Sequence, residues 1–286
     1  MPKDFIERRI TSQDGLSLYV RDYPGPKNGT RTPLLCLGGL TRNSKDFAGI
    51  GKYHSRKRRV ICPDTRGRGF SDYDPDWRNY HPETYVGDVR HILCALGIHD
   101  VVVIGTSMGG IMGMIMAAAI PSTLKGLVLN DIGPVVRLHD LDKIVAYMKS
   151  PPSLPDWAAA GRHLRDAFMG EYPLSGDADW TRAAKLSYVE RADGTITFDW
   201  DENILKPILA DPAEALDLWH LFMATERIPV LTLRGAKSNI LDETQLAEMS
   251  ARHSNMQAVV VPGVGHPPGL AEPNSIEALN GFLEQF

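Results

Sequence analysis

The run Gly105-Thr106-Ser107-Met108-Gly109-Gly110 carries the clearest chemical signal in the chain. It follows the apolar stretch Val101-Val102-Val103-Ile104 and precedes a segment rich in Met and Ala. That order predicts a tight turn from a strand into a helix, with glycines at 105 and 109 letting neighbouring backbone pass where a Cβ would clash. Ser107 would then stand clear of the strand at a helix N-terminus, where developing negative charge is favoured. A hydroxyl is a weak nucleophile at neutral pH and needs a base. His266 is the candidate, in Val261-Pro262-Gly263-Val264-Gly265-His266-Pro267-Pro268, just past the last strand-like run. The other eight histidines, at positions 54, 81, 91, 99, 139, 163, 220 and 253, read as surface or packing residues. Serine plus histidine points to acyl transfer, which also needs donors for an oxyanion. The backbone N–H of Met108 is one, and that of Leu40, in Gly38-Gly39-Leu40-Thr41 after the Pro33–Gly38 run, is the second.

These residues need a scaffold, and the periodicity supplies one. Residues 5–10 and 16–22 read as two strands joined at Asp14-Gly15, a hairpin signal. Continuous apolar runs at 33–38, 59–62, 101–104 and 126–130 suit parallel strands covered on both faces. Helical stretches at 83–96 and 108–120 fall between them. A second set follows: strand 229–234, helix 242–252, strand 257–261 and helix 274–285. Alternating strands and helices imply an α/β fold with a mostly parallel central sheet and helices on both faces. Residues 135–228 break the rhythm, with a proline pair at 151–152, Trp157, Trp180, Trp200 and Trp219, and mostly helical patterning. The expectation is a core of 1–134 and 229–286 with 135–228 inserted as a helical cap over the active site.

Bulk properties exclude other classes. The chain of 286 residues fits one core plus an insert, and its net charge of −4 gives no reason to expect nucleic acid as partner. The basic run Arg56–Arg59 reads as a solvated turn. Cys36, Cys62 and Cys94 are too few and too scattered for a disulfide framework or a zinc site, and the first two fall in strand-like runs as buried thiols. The N-terminus lacks the apolar stretch of a signal peptide, and no 18 apolar residues run together. The expectation is a cytoplasmic protein, monomer or homodimer, without membrane association, metal or organic cofactor.

Taken together, the chain resembles the α/β-hydrolase family, and within it the bacterial group of esterases, 3-oxoadipate enol-lactonase-type lactonases and meta-cleavage-product hydrolases. The resemblance spans nearly the whole chain. Beyond the serine turn and His266 it includes Asp64-Thr65-Arg66-Gly67-Arg68-Gly69-Phe70-Ser71, Asn130-Asp131-Ile132-Gly133-Pro134, Phe198-Asp199-Trp200-Asp201 and Leu233-Arg234-Gly235-Ala236-Lys237-Ser238. The Arg-Gly turn reads as architectural. A serine at 107 rather than an aspartate separates the chain from haloalkane dehalogenases and epoxide hydrolases of the same fold.

Two departures stand out. Gly38-Gly39 occupies the place where relatives usually carry His-Gly, which alters support of the loop. The acid of the triad usually follows the Arg-Gly turn near the C-terminus, where this chain has Asn239. Three candidates follow: Asp131 after the 126–130 strand, Asp242 three residues beyond Asn239, or Asn239 itself. Asp131 has a competing reading, in which its carboxylate fixes the local turn against Gly133. The resemblance implies a serine hydrolase of a small carboxylic ester or lactone. A cofactor-independent dioxygenase or C–C bond hydrolase using His266 with Asp131, and a ligand-binding protein with a weakened triad, are the other classes it leaves open.

Overall fold

The computed structural model describes residues 4–172, 176–210 and 215–286. The chain starts with β1 (Ile6–Thr11) and β2 (Ser17–Tyr23), followed by β3 (Leu34–Leu37), α1 (Ala48–His54), β4 (Val60–Pro63), α2 (Pro82–Ala95), β5 (Val101–Thr106), α3 (Met108–Ala119) and β6 (Leu124–Asn130). The strands join in one eight-stranded sheet completed by two strands from the C-terminal part, β11 (Val230–Gly235) and β12 (Met256–Val261). The hairpin forms as its Asp14-Gly15 turn predicts, with Ile6 opposite Asp22 and Thr11 opposite Ser17. β2 also pairs antiparallel with β4, and from β4 onward the sheet is parallel, in the order β4-β3-β5-β6-β11-β12.

The continuous apolar runs follow from burial on both faces. Val101 and Val103 of β5 point into a cluster with α2 and α3, whereas Val102 and Ile104 point into a cluster with the C-terminal helix. Cys36 and Cys62 lie in that second cluster as buried thiols. The basic run departs from expectation. Arg56 and Lys57 are exposed, but Arg58 is buried and donates to the Thr32, Leu283 and Phe286 carbonyls, and Arg59 pairs with Asp22. Three carbonyls and a carboxylate within reach outweigh solvation of these two side chains.

Between β6 and β11 lie β7 (Val135–Arg137), α4 (Asp142–Met148), α5 (Trp157–Phe168), α6 (Asp177–Ser187), β8 (Tyr188–Glu190), β9 (Ile196–Phe198), α7 (Lys206–Ala210), β10 (Ala215–Asp217) and α8 (Trp219–Met223). None of these enters the central sheet. Helices predominate in this stretch, as expected, and two short antiparallel pairs lie among them, β8 with β9 and β7 with β10. The hairpin signal for the first pair is Asp193-Gly194, with Arg191 N–H donating to the Thr195 carbonyl across the turn. The chain then returns to the sheet as β11 (Val230–Gly235), α9 (Glu243–Arg252), β12 (Met256–Val261) and α10 (Pro273–Leu283).

The Asp64–Ser71 turn is tied down on both sides. Arg66, almost fully buried, meets Asp14 (2.7 Å), Asp74 (2.6 Å) and Asp88 (2.6 Å). Gly69 N–H donates to the Asp199 carbonyl and Asp201 N–H to that of Gly67, so the turn and the insert share a short ladder. The expected architectural role of Arg66 thus has a definite form: one guanidinium neutralised by three carboxylates.

Candidate active site

Ser107 leaves β5 with φ 51° and ψ −115°, a conformation a side chain adopts only under constraint. The constraint is packing. A Cβ on Gly109 would strike the Leu37 carbonyl oxygen, so α3 can press against the end of β3 only with glycine there. The Ser107 N–H meanwhile donates to the Asn130 carbonyl (3.0 Å), which holds the turn to β6.

His266 lies on the loop after β12, with its ring largely buried. Its Nε2 stands 3.0 Å from Ser107 Oγ and its Nδ1 3.0 Å from Asp131 Oδ2. Asp131 is fully buried, and its Oδ1 accepts the Gly235 N–H at 3.1 Å. The carboxylate therefore bonds to His266 and β11, and not to Gly133 as the turn-fixing alternative required. The other two acid candidates lie elsewhere. Asn239 is exposed and its amide donates to the Asp140 carbonyl (3.3 Å). Asp242 caps α9 through the Gln245 N–H (2.7 Å) and pairs with Arg137 (3.1 Å). Neither is bonded to His266.

With Asp131 accepting, the histidine carries its proton on Nδ1 and leaves Nε2 free to accept the Ser107 hydroxyl proton. Met108 opens α3, so its N–H has no partner within the helix. The Gly38–Leu40 loop lies close by: a Cβ on Gly39 would sit 3.6 Å from Ser107 Cβ. The loop that carries Leu40 thus lies beside the serine turn.

Three supports were not legible beforehand. Asn130 Nδ2 donates to Thr106 Oγ1 (3.1 Å) and to the Pro268 carbonyl (2.9 Å), linking the serine turn to the histidine loop. Its position beside Asp131 was the available signal. Tyr172 of the insert donates its hydroxyl to the His266 carbonyl (3.0 Å), while the neighbouring Glu171 carbonyl accepts the Gly265 N–H (2.7 Å). Burial pushes the Tyr172 phenol well above its ordinary range, so it stays a neutral donor. Nothing in the spacing of Tyr172 announced this. Arg68 is the third, its guanidinium meeting the Leu40 carbonyl at 2.9 Å.

The insert carries an aromatic cluster. Tyr147 packs against Phe168, Phe198 and Trp200, and its hydroxyl meets that of Tyr188 (2.8 Å), which in turn meets His163 Nδ1 (2.7 Å). Burial lowers the proton affinity of His163. Arg42, in the loop after Leu40, is held by Asp46 and donates to Ser187 of the insert. Among the described residues no group of three or more His, Cys, Asp or Glu side chains is placed to hold a metal ion, and no helix is long and apolar enough to cross a membrane.

Comparison with known proteins identifies the family. The model of the alpha/beta hydrolase fold family matches residues 32–273. A 3-hydroxybutyrate-oligomer hydrolase of Cupriavidus necator is 32% identical over 259 residues, covering 87% of each chain. A 2-(acetamidomethylene)succinate hydrolase of Mesorhizobium japonicum is 26% identical over 98% of this chain and 96% of its own. Among solved structures, an alpha/beta hydrolase from Novosphingobium aromaticivorans superposes with a TM-score of 0.93 at 38% identity, covering 100% of both chains.

Proposed function

Because the chain belongs to the α/β-hydrolase fold family, we propose that it is a serine hydrolase in which Ser107, His266 and Asp131 form the triad and the insert 135–228 caps the site. The observation that carries this reading is the position of His266, 3.0 Å from the serine hydroxyl on one side and 3.0 Å from a buried carboxylate on the other. Ser107 attacks the substrate carbonyl as His266 takes its proton. The N–H groups of Leu40 and Met108 receive the oxyanion, and His266 returns the proton to the leaving alcohol. Water then enters by the same route and releases the acid. Asp131 keeps the imidazole in the productive tautomer and stabilises the imidazolium.

The substrate we assign is a small carboxylic ester or lactone. The name of the Cupriavidus relative, an oligomer hydrolase of 3-hydroxybutyrate, makes short hydroxyacid oligoesters the first compounds to assay.

Labelling with a fluorophosphonate, followed by peptide mass spectrometry, tests the nucleophile directly. We expect stoichiometric modification of Ser107. No modification under conditions that label a control serine esterase would remove the acyl-enzyme. Oxygen uptake with an aromatic hydroxyl substrate would then favour the dioxygenase reading.

A further inference from the structure

Arg68 lies at the centre of the Asp64–Ser71 turn and is fully buried. A guanidinium withdrawn from water ordinarily demands a carboxylate, since the desolvation cost is several kcal/mol per ion. Its neighbour Arg66 has three. For Arg68, among the described residues, no carboxylate lies within ion-pair distance. Its partners are neutral: the Leu40 carbonyl (2.9 Å), the Arg66 carbonyl (2.8 Å), the Tyr85 hydroxyl (2.9 Å) and the Met108 sulfur (3.9 Å), with the Tyr85 and Tyr80 rings alongside at 4.9 and 5.7 Å.

Two of those partners, Leu40 and Met108, are the residues whose N–H groups would hold the oxyanion. Gly38 and Gly39 have no side chains with which to stiffen the loop that presents Leu40. The rigid fork of Arg68 holds the Leu40 carbonyl through Nε and approaches the Met108 sulfur through Nη2. An arginine serves here where a lysine would not, because its donors diverge in a fixed plane.

We propose that Arg68 is the positioning residue of the oxyanion hole, holding Leu40 and Met108 in register with Ser107. The inference rests on the serine-hydrolase reading above. Donors fixed in advance in a site shielded from water act on the transition state more than on the bound ester.

The experiment compares wild type with Arg68→Met and Arg68→Lys, with kcat expressed per active site titrated by fluorophosphonate. Titration restricts the rate to molecules whose Ser107 is competent. We expect Arg68→Met to lose about 100-fold in kcat, the lower range for removing one oxyanion donor, with KM changed less than about threefold. Affinity for a trifluoromethyl ketone should fall by a similar factor. Arg68→Lys, which keeps the charge but not the fork, should fall roughly tenfold in both. Should Arg68→Met fail to fold, Arg68→Lys decides the matter. Either variant with kcat per titrated site and ketone affinity within about twofold of wild type would overturn the proposal, leaving Arg68 a packing residue. Failure of wild type itself to label would instead remove the reading on which the inference rests.

Discussion

Ser107 and Asp131 occupy equivalent places on adjacent parallel strands. Thr106 and Asn130 are paired in register at the ends of β5 and β6, and the next residue of each chain segment turns to positive φ, 51° at Ser107 and 61° at Asp131. Both strands are thus followed by a residue of positive φ at the same level of the sheet, and His266 bridges the two side chains. Non-glycine residues with positive φ are uncommon, so the pair marks two places where the packing of the sheet ends constrains the chain.

The first prediction separates the three acid candidates. Asp131→Asn should lower kcat by about 10⁴, the cost seen for the corresponding change in a serine protease, because the amide favours the wrong imidazole tautomer. Asn239→Ala should leave kcat within about twofold, since its amide bonds only the Asp140 carbonyl. Asp242→Ala removes a helix cap and should cost about 1 kcal/mol of stability with little effect on turnover. Steady-state rates on a short-chain nitrophenyl ester, alongside urea melts, distinguish the three; a larger kcat loss in Asn239→Ala than in Asp131→Asn would reverse the assignment.

Gly109→Ala should disrupt the serine turn. The added methyl meets backbone at Leu37, which cannot rotate away. Overpacking of this kind typically costs roughly 1–3 kcal/mol, and here the displaced atoms carry the nucleophile and the Leu40 loop. The mutant should therefore lose fluorophosphonate reactivity even in the fraction that remains folded by circular dichroism. Retained labelling rates would show that the turn tolerates a wider approach.

Arg66→Met should be the most damaging substitution outside the active site. It would strand Asp74 and Asp88, both buried, and breaking such a pair by removing one partner costs about 3–5 kcal/mol. The readout is the midpoint of denaturant unfolding. Adding Asp88→Asn to Arg66→Met should recover part of the loss, and the absence of any recovery would argue against a charge-based cause.

Acid stability gives a fourth test. His54 is buried beside Arg58 and Lys57, and burial first, then those cations, push its pKa down to about 4. The neutral ring is the form the fold accepts. Its contribution is complete above the unfolded value near 6.5 and is lost as pH falls from there toward 4, when the unfolded chain binds the extra proton. The full loss is on the order of 2–3 kcal/mol. Melting temperature against pH should fall less steeply over that window in His54→Gln than in wild type; parallel curves would assign the acid sensitivity to other groups.

The core strands and helices were readable because burial on both faces writes itself as continuous apolar runs, and β5 at 101–106 differs little from the run 101–104. Ser107 and His266 could be singled out because each sits next to such a strand, and the structure brings their side chains to 3.0 Å. The acid was harder. Asn239 and Asp131 are far apart in sequence, and only the sheet order, with β6 beside β11, brings Asp131 Oδ1 to the Gly235 N–H and Oδ2 to His266. The short strands within 135–228 escaped because three residues are too few for an alternation to register. Tyr172 was invisible for a different reason: its role depends on where a long insert docks, which no local pattern encodes.

The insert departs after β6 and returns at β11, and those strands are direct neighbours, with Val230 opposite Leu127 and Leu233 opposite Asn130. To the sheet, residues 135–228 lie within one very long crossover connection between two neighbouring parallel strands. Closure entropy rises only slowly with loop length, so a replacement of quite different size could be grafted there without altering strand pairing. Catalytic competence would not transfer so freely. Glu171 and Tyr172 belong to the connection but grip the loop bearing His266, so any exchanged module must bring its own brace for the histidine. Substrate range and catalytic rate are in this sense inherited together.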